Sequence, residues 1–313
     1  MSKPVMNRLP AFSLICTTMF ITLPSAFAEN YSVGSVYGCS GLPPFIKSVG
    51  LEEPVAIDTT ISRLPGLVIR EFSGQKRLYQ GRSWRGTGSV GGTVRDAQGN
   101  IYVIPVPSVS LDINPLNKRN TVYKVDAKTG QMDVLVELPL PKVETQKNPF
   151  GTMGLALDCE TNSLYVSSLA GSTSREVRGV IYQIDLASGK VVDEFNGVDA
   201  IGLGVFNSPT QKRLYYGDAR SSSVYSIRLI SKGGFKGFAK PRYEFSLLDQ
   251  KNGDSSQVRK IRFNFDKDLG HVMSVADTEF SYRLVAQTSW RHRQYYFVWQ
   301  AESDSWILNR IEQ

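Results

Sequence analysis

The sequence predicts an all-β fold, a β-propeller of six blades, with five or seven as alternatives. Two observations carry this: four short strands fall within about forty residues, and the same unit recurs three more times along the chain. The pattern is clearest from Gly151 to Val192. Leu155, Leu157, Leu164 and Val166 mark two apolar runs around a turn at Asp158–Ser163, then Val180, Tyr182 and Ile184 alternate with their neighbours, and Gly189 breaks the run before Lys190. The joining turns leave no room for a helix. A lone four-stranded sheet buries too little to be stable, so such a unit needs copies of itself to pack against.

The copies lie on both sides. Gly92–Val103 with Thr121–Gly130 is one, Gly202–Tyr216 with Ser223–Arg228 another, and a worn copy follows at Ile261–Asp266 and His271–Asp277. Aligning Gly92, Gly154, Gly202 and roughly Arg262 gives offsets of 62, 48 and about 60 residues, which suits blades with unequal loops. The remaining ends, 29–85 and 285–313, amount to about two more blades. One of them is expected to combine strands from both termini and so close the ring.

Taken from the start, residues 1–28 read as a signal peptide. Lys3 and Arg8 precede a short apolar core, and Ala26-Phe27-Ala28 offers a cleavage site; an uncleaved anchor is the alternative. Residues 29–313 then form one propeller domain, exported to the periplasm or secreted, with no stable membrane span after cleavage. Its charge falls from +7 to +5, mildly basic. No nucleic-acid-binding motif is present, so nucleic acid is not an expected partner.

Residues 29–65 read as an irregular arm with one strand near Val55–Asp58, followed by a hairpin of Leu67–Phe72 and Lys76–Tyr79. Cys39 and Cys159 are the only cysteines after export. A lone pair in an oxidising compartment most often becomes a disulfide, here pinning the arm to a blade; the alternative is two separate thiols. In the tail, Tyr282–Ala286, Gln294–Trp299 and Ser305–Arg310 are strand-like, their alternating aromatics serving as inter-blade core.

Function is expected on the rim of the long loops, Pro105–Arg119 and Ser167–Gly179. The opposite rim carries tight turns at Asp96, Asp126 and Asp185, which read as structural. Arg119, Arg175, Arg178 and Arg220 are candidate ligand-binding residues, because a guanidinium grips carboxylate or phosphate bidentately. The expected partner is a polar or anionic small molecule, a glycan or a protein.

The words Leu164–Val166, Ile181–Asp185 with Ser188-Gly189, and Val275–Asp277 resemble repeats of the gluconolactonase/regucalcin, strictosidine-synthase-like and NHL propellers. That resemblance implies an alternative function, a calcium-dependent lactonase or esterase with calcium or another divalent cation at the channel mouth. By position it makes Asp218, Asp277 and Glu71 candidate metal ligands. The family's Asn positions are filled by Gly91, Met153, Ile201 and approximately Ile261, which offer no side-chain oxygen. A strictosidine-synthase-like condensing enzyme would need an acid at the mouth that the sequence does not identify. His271 and His292 lack metal-ligand spacing, no Gly-x-Ser-x-Gly elbow exists, and the formal GxGxxG at Gly86–Gly91 enters a strand instead of a helix.

Overall fold

A computed structural model describes residues 31–61, 63–106, 118–139, 148–230, 232–235, 240–250, 256–283 and 292–313. It is a β-propeller of five blades. Blade one is a three-stranded sheet of β1 (Val55–Asp58), β2 (Val68–Glu71) and β3 (Leu78–Tyr79). Blade two holds β4 (Val90–Arg95), β5 (Ile101–Pro105), β6 (Thr121–Val125) and β7 (Met132–Glu137). Blade three holds β8 (Thr152–Asp158), β9 (Ser163–Ser168), β10 (Val180–Asp185) and β11 (Lys190–Asn196). Blade four holds β12 (Ala200–Asn207), β13 (Lys212–Asp218), β14 (Ser223–Leu229) and β15 (Arg242–Ser246). Blade five holds β16 (Gln257–Asp266), β17 (Gly270–Thr278), β18 (Gln294–Gln300) and β19 (Ser305–Glu312). Every pairing is antiparallel between sequence neighbours.

Five blades replace the six expected. The C-terminal tail is not half of a further blade; Gln294–Gln300 and Ser305–Glu312 complete the worn copy. Nor do the termini share a sheet: blade one comes wholly from the N-terminal side and blade five wholly from the C-terminal side. Of the strand-like run at Tyr282–Ala286, Tyr282 and Arg283 lie outside any strand and the rest falls outside the described residues.

The period-two pattern builds the core between blades. Phe206 and Tyr215 of blade four pack against Phe263, Met273, Tyr295, Phe297 and Trp306 of blade five. A second cluster joins blades three and four, a third joins two and three, and a fourth joins one and two around Trp84. Tyr295, Phe297 and Trp306 are thus inter-blade core with Trp299 against them, while Tyr296 stacks beneath Arg310 and Trp290 lies outside the described residues. The tight turns are structural too. Asp126 Oδ1 accepts the N–H groups of Lys128 (3.0 Å) and Thr129 (2.8 Å), and Gly130 takes φ 69°.

In place of a shared blade, the N-terminal arm crosses the rim of the tight turns as a strap. Tyr31 N donates to Pro209 O and Gly34 N to Asn207 O on blade four. Tyr37 Oη lies 2.8 Å from His271 Nδ1 on blade five, and its ring packs beside Phe206 and Phe263. Cys39 is disulfide-bonded to Cys159 on blade three, across a sequence separation of 120 and a Cα–Cα distance of 5.9 Å. Gly41 N then donates to Asp96 O, and Phe45 N, opening a short helix α1 (Phe45–Ser48), to Ala127 O, both on blade two. Beneath the strap, the fully buried Lys212 of blade four reaches Asp158 Oδ2 at 2.7 Å and Glu160 Oε2 at 3.0 Å on blade three.

Candidate functional site

A cavity of about 600 Å3 lies on the ring axis, lined by the first strands of all five blades and by Tyr37, Cys39, Ser40 and Cys159 of the strap region. The first strands are irregular just before the residues that line it. Each of β4, β8, β12 and β16 slips register near its start, through a bulge that inserts unpaired residues. Register against the second strands makes Thr93, Leu155, Leu203 and Ile261 equivalent. Gly92, Gly154 and Gly202 therefore correspond to Lys260, and Gly91, Met153 and Ile201 to Arg259. The sequence alignment, at roughly Arg262 for the glycine and Ile261 for the Asn position, ran two residues late.

Gly154 and Gly202 are required by close approach. A Cβ on Gly154 would lie 2.5 Å from Ile201 O, and one on Gly202 would lie 2.8 Å from the carbonyl carbon of Arg259, in each case on the next blade. Gly204, equivalent to Arg262, would meet Phe263 Cε2 at 2.8 Å, and Gly217, equivalent to Ala276, would collide with Val258 O. The face that blade four turns to blade five thus has glycine at three inner positions. At the same three positions blade five turns Lys260, Arg262 and Ala276 toward blade one. Arg259, Lys260 and Arg262 are exposed to solvent even though the ring encloses them.

Arg95 flanks blade one from the other side. Val94 packs with the cluster between blades two and three, so the alternation of β4 sets Thr93 and Arg95 on the face toward blade one, and both line the cavity. Enclosure pushes the Arg95 and Arg259 guanidiniums below their ordinary range; Asp277 opposes this for Arg259. Lys260 is lowered to about 8, first by enclosure and then by Arg262 and Arg259. Among the described residues no carboxylate hydrogen-bonds or ion-pairs with Arg95, Lys260 or Arg262. Asp58, on the face of blade one that carries the exposed Ala56, is already held below the usual carboxylate range by Thr60 and, secondarily, Arg70, whose Nη2 lies 2.7 Å away. Like charges spaced two residues along a strand repel by on the order of 1 kcal/mol where water reaches them. Nothing in the described fold offsets that cost, whereas a bound anion would.

The residues expected to bind on the loop rim are mostly engaged in holding it together. Arg220 donates from Nε to Asp199 Oδ2 (2.8 Å) and from Nη2 to Thr173 O (2.6 Å) and Glu176 O (2.7 Å), with its guanidinium 5.1 Å from the Tyr282 ring centre. It clamps the Ser167–Gly179 loop. Arg119 is 6% exposed and donates to Asn148 O at 3.1 Å. Arg178 pairs with Glu176 at 2.6 Å, and Arg175 is exposed. Residues 107–117 of the other long loop lie outside the described residues. The loop side of the channel mouth is covered by Phe150, Leu169, Ile201 and Ala219, with Met153, Phe280 and Tyr282 against them.

Glu71 and Asp218 sit at the ends of their second strands, and Asp277 holds the register position equivalent to Asp218. Their carboxylates are not brought together. Glu71 takes Arg77 bidentately, at 2.9 and 3.1 Å, and the N–H of Glu52 at 2.7 Å, which hold it down at about 2. Asp277 accepts Ser256 Oγ at 3.0 Å and Arg293 N at 2.8 Å. Asp218 accepts Ser221 Oγ at 2.7 Å, while burial raises its pKa. Among the described residues no three of His, Cys, Asp and Glu gather as a divalent cation would need. The donor set does not fit calcium.

No protein-family profile matches the chain, and no curated protein matches it. Several solved structures are similar in outline. A Lactobacillus plantarum protein aligns with 83% of this chain and 69% of its own, at 14% identity and a TM-score of 0.48. The quinohemoprotein alcohol dehydrogenase ADHIIG of Pseudomonas putida HK5 aligns over 80% of this chain and 39% of its own, at 13% identity and a TM-score of 0.40. A chain of the S. cerevisiae Dbp5 complex with Nup159, Gle1, IP6 and ADP aligns over 86% and 62%, at 10% identity and a TM-score of 0.38.

Proposed function

We propose that this chain is an exported propeller that binds a small anionic molecule in its axial cavity, at the seam between blades five and one. The observation that carries the reading is the replacement of glycine by Lys260 and Arg262 at inner positions where blade four admits no side chain. Arg262 and Arg95 line the cavity and Lys260 stands two residues from Arg262 on the same strand face, outside the lining; among the described residues no carboxylate hydrogen-bonds or ion-pairs with these three, which suits an anion small enough for about 600 Å3. Export is supported by the strap disulfide.

The test is calorimetric titration of the full mature chain with a panel of carboxylates and phosphate esters at two salt concentrations. Binding should weaken on the order of tenfold or more in Arg262→Gly, weaken with salt, and persist in Arg175→Glu. Loss of binding in Arg175→Glu with Arg262→Gly unaffected would return the site to the loop rim and sink the seam.

A further inference from the structure

We infer that Lys260 is a nucleophilic amine, and that the seam takes small 2-oxo acids as reversible imines, with the carboxylate on Arg262 and the carbonyl carbon at Lys260 Nζ. This rests on the anion-binding reading above and names the ligand class of that same site.

The geometry begins with the strand. Lys260 and Arg262 are two residues apart on β16, hence on one face, with Cα atoms roughly 7 Å apart. A long ammonium stem and a long guanidinium stem at that spacing can converge on adjacent carbons of one small molecule, and a 2-oxo acid has its carboxylate and carbonyl on adjacent carbons. Lys260 also stands at the bulge, where three other blades have glycine. Its side chain therefore enters space that those blades fill with the neighbouring blade's strand or side chains. Among the described residues nothing hydrogen-bonds its amine.

The electrostatics agree with that placement. With two guanidiniums beside it and the ring around it, Lys260 falls to about 8, so at neutral pH it holds roughly a few hundred times more free amine than an ordinary lysine. The step is balanced without a co-reactant. The Nζ lone pair attacks the carbonyl carbon, the nitrogen loses its protons as the carbonyl oxygen leaves as water, and a C=N bond replaces C=O. No electron is gained or lost.

The experiment incubates the mature chain with pyruvate or 2-oxoglutarate and cyanoborohydride, which delivers hydride to the imine carbon and fixes the adduct as a secondary amine. Peptide mapping should place the adduct on Lys260, on the order of tenfold faster than on exposed lysines such as Lys128 and Lys190. Lactate or 2-hydroxyglutarate should bind and compete, since each has the carboxylate without the carbonyl. Lys260→Arg should bind the acids but give no seam adduct, and Lys260→Gly, the residue of the other blades, provides a second variant that preserves the fold. If the hydroxy acids bind while trapping is absent or spread evenly over surface lysines, the amine chemistry is wrong and the anion site stands. If neither class binds, both readings fall.

Discussion

The seam between blades four and five and the seam between blades five and one are built from the same strand positions and solve opposite problems. In the first, Gly202, Gly204 and Gly217 let the inner strands close until an added Cβ would strike the neighbour, and a cluster including Phe206, Tyr215, Phe263, Met273, Phe297 and Trp306 seals the rest. In the second, Lys260, Arg262 and Ala276 stand at those positions, and no apolar cluster among the described residues spans the two blades. On that face of β17 the buried residues among those described are Val272, Ser274 and Thr278. One face of a repeated unit is committed to packing; its equivalent one blade later is free to carry charge.

Moving the charged residues back into the sealed seam breaks the comparison most forcefully. Gly204→Arg should cost more than about 4 kcal/mol in urea denaturation, because the side chain has nowhere to go but into Phe263 and Ile261. The reverse change, Arg262→Gly, should shift stability by less than about 1 kcal/mol, and at low salt it should stabilise. Equal losses from both would show the seams to be packed alike.

Next in size is Lys212→Ala beside the strap. It leaves Asp158 buried without its partner and should cost about 3–5 kcal/mol, while Lys212→Met with Asp158→Asn recovers part of that. Replacing Cys39 and Cys159 by Ser should then cost about 2–4 kcal/mol. Because the strap ties blades two, three, four and five, that variant should expose the amides of blades one and five to hydrogen exchange before those of blade three. Uniform loss of protection would mean that the strap contributes nothing particular to closure.

The smallest effect is a pH dependence. The folded state holds Lys260 at about 8 against an unfolded value of about 10.4, so between those values the unfolded chain binds more protons. Stability should therefore rise with pH across that window, and the rise should shrink in Lys260→Met. Glu71 has the same sign in the acid range. Its lowered pKa gives stability that is present above 4.5 and lost as pH falls toward about 2, a loss absent from Glu71→Gln.

Much of this architecture was legible because it is local. The copies around Gly92, Gly154 and Gly202, the Asp–Gly turns, the β2–β3 hairpin and the cysteine pair all announce themselves within a few residues or by simple count. The ring size was not. The third and fourth strands of blade five lie beyond a loop, and its first strand has lost the glycine that marks the other copies, so the tail looked like a separate half-blade. The strap was invisible for a different reason. Tyr37 meets His271 across 234 positions, and no local pattern encodes such a meeting. The basic seam did leave a signal, the run Arg259-Lys260-Ile261-Arg262, where other copies have glycine. A register two residues late hid it, and attention to long loops favoured Arg220, which proves to be a clamp.

The strap also sets an order of events. Residues 31–37 find their partners at Asn207, Pro209 and His271, far later in the chain, whereas Cys39, Gly41 and Phe45 meet Cys159, Asp96 and Ala127. The segment from Tyr31 to Tyr37 must therefore wait for blades four and five, while the rest of the strap can dock on blades two and three. Cys39 can meet Cys159 as soon as blade three exists, so thiol labelling during refolding would time the first docking of the strap and not its last.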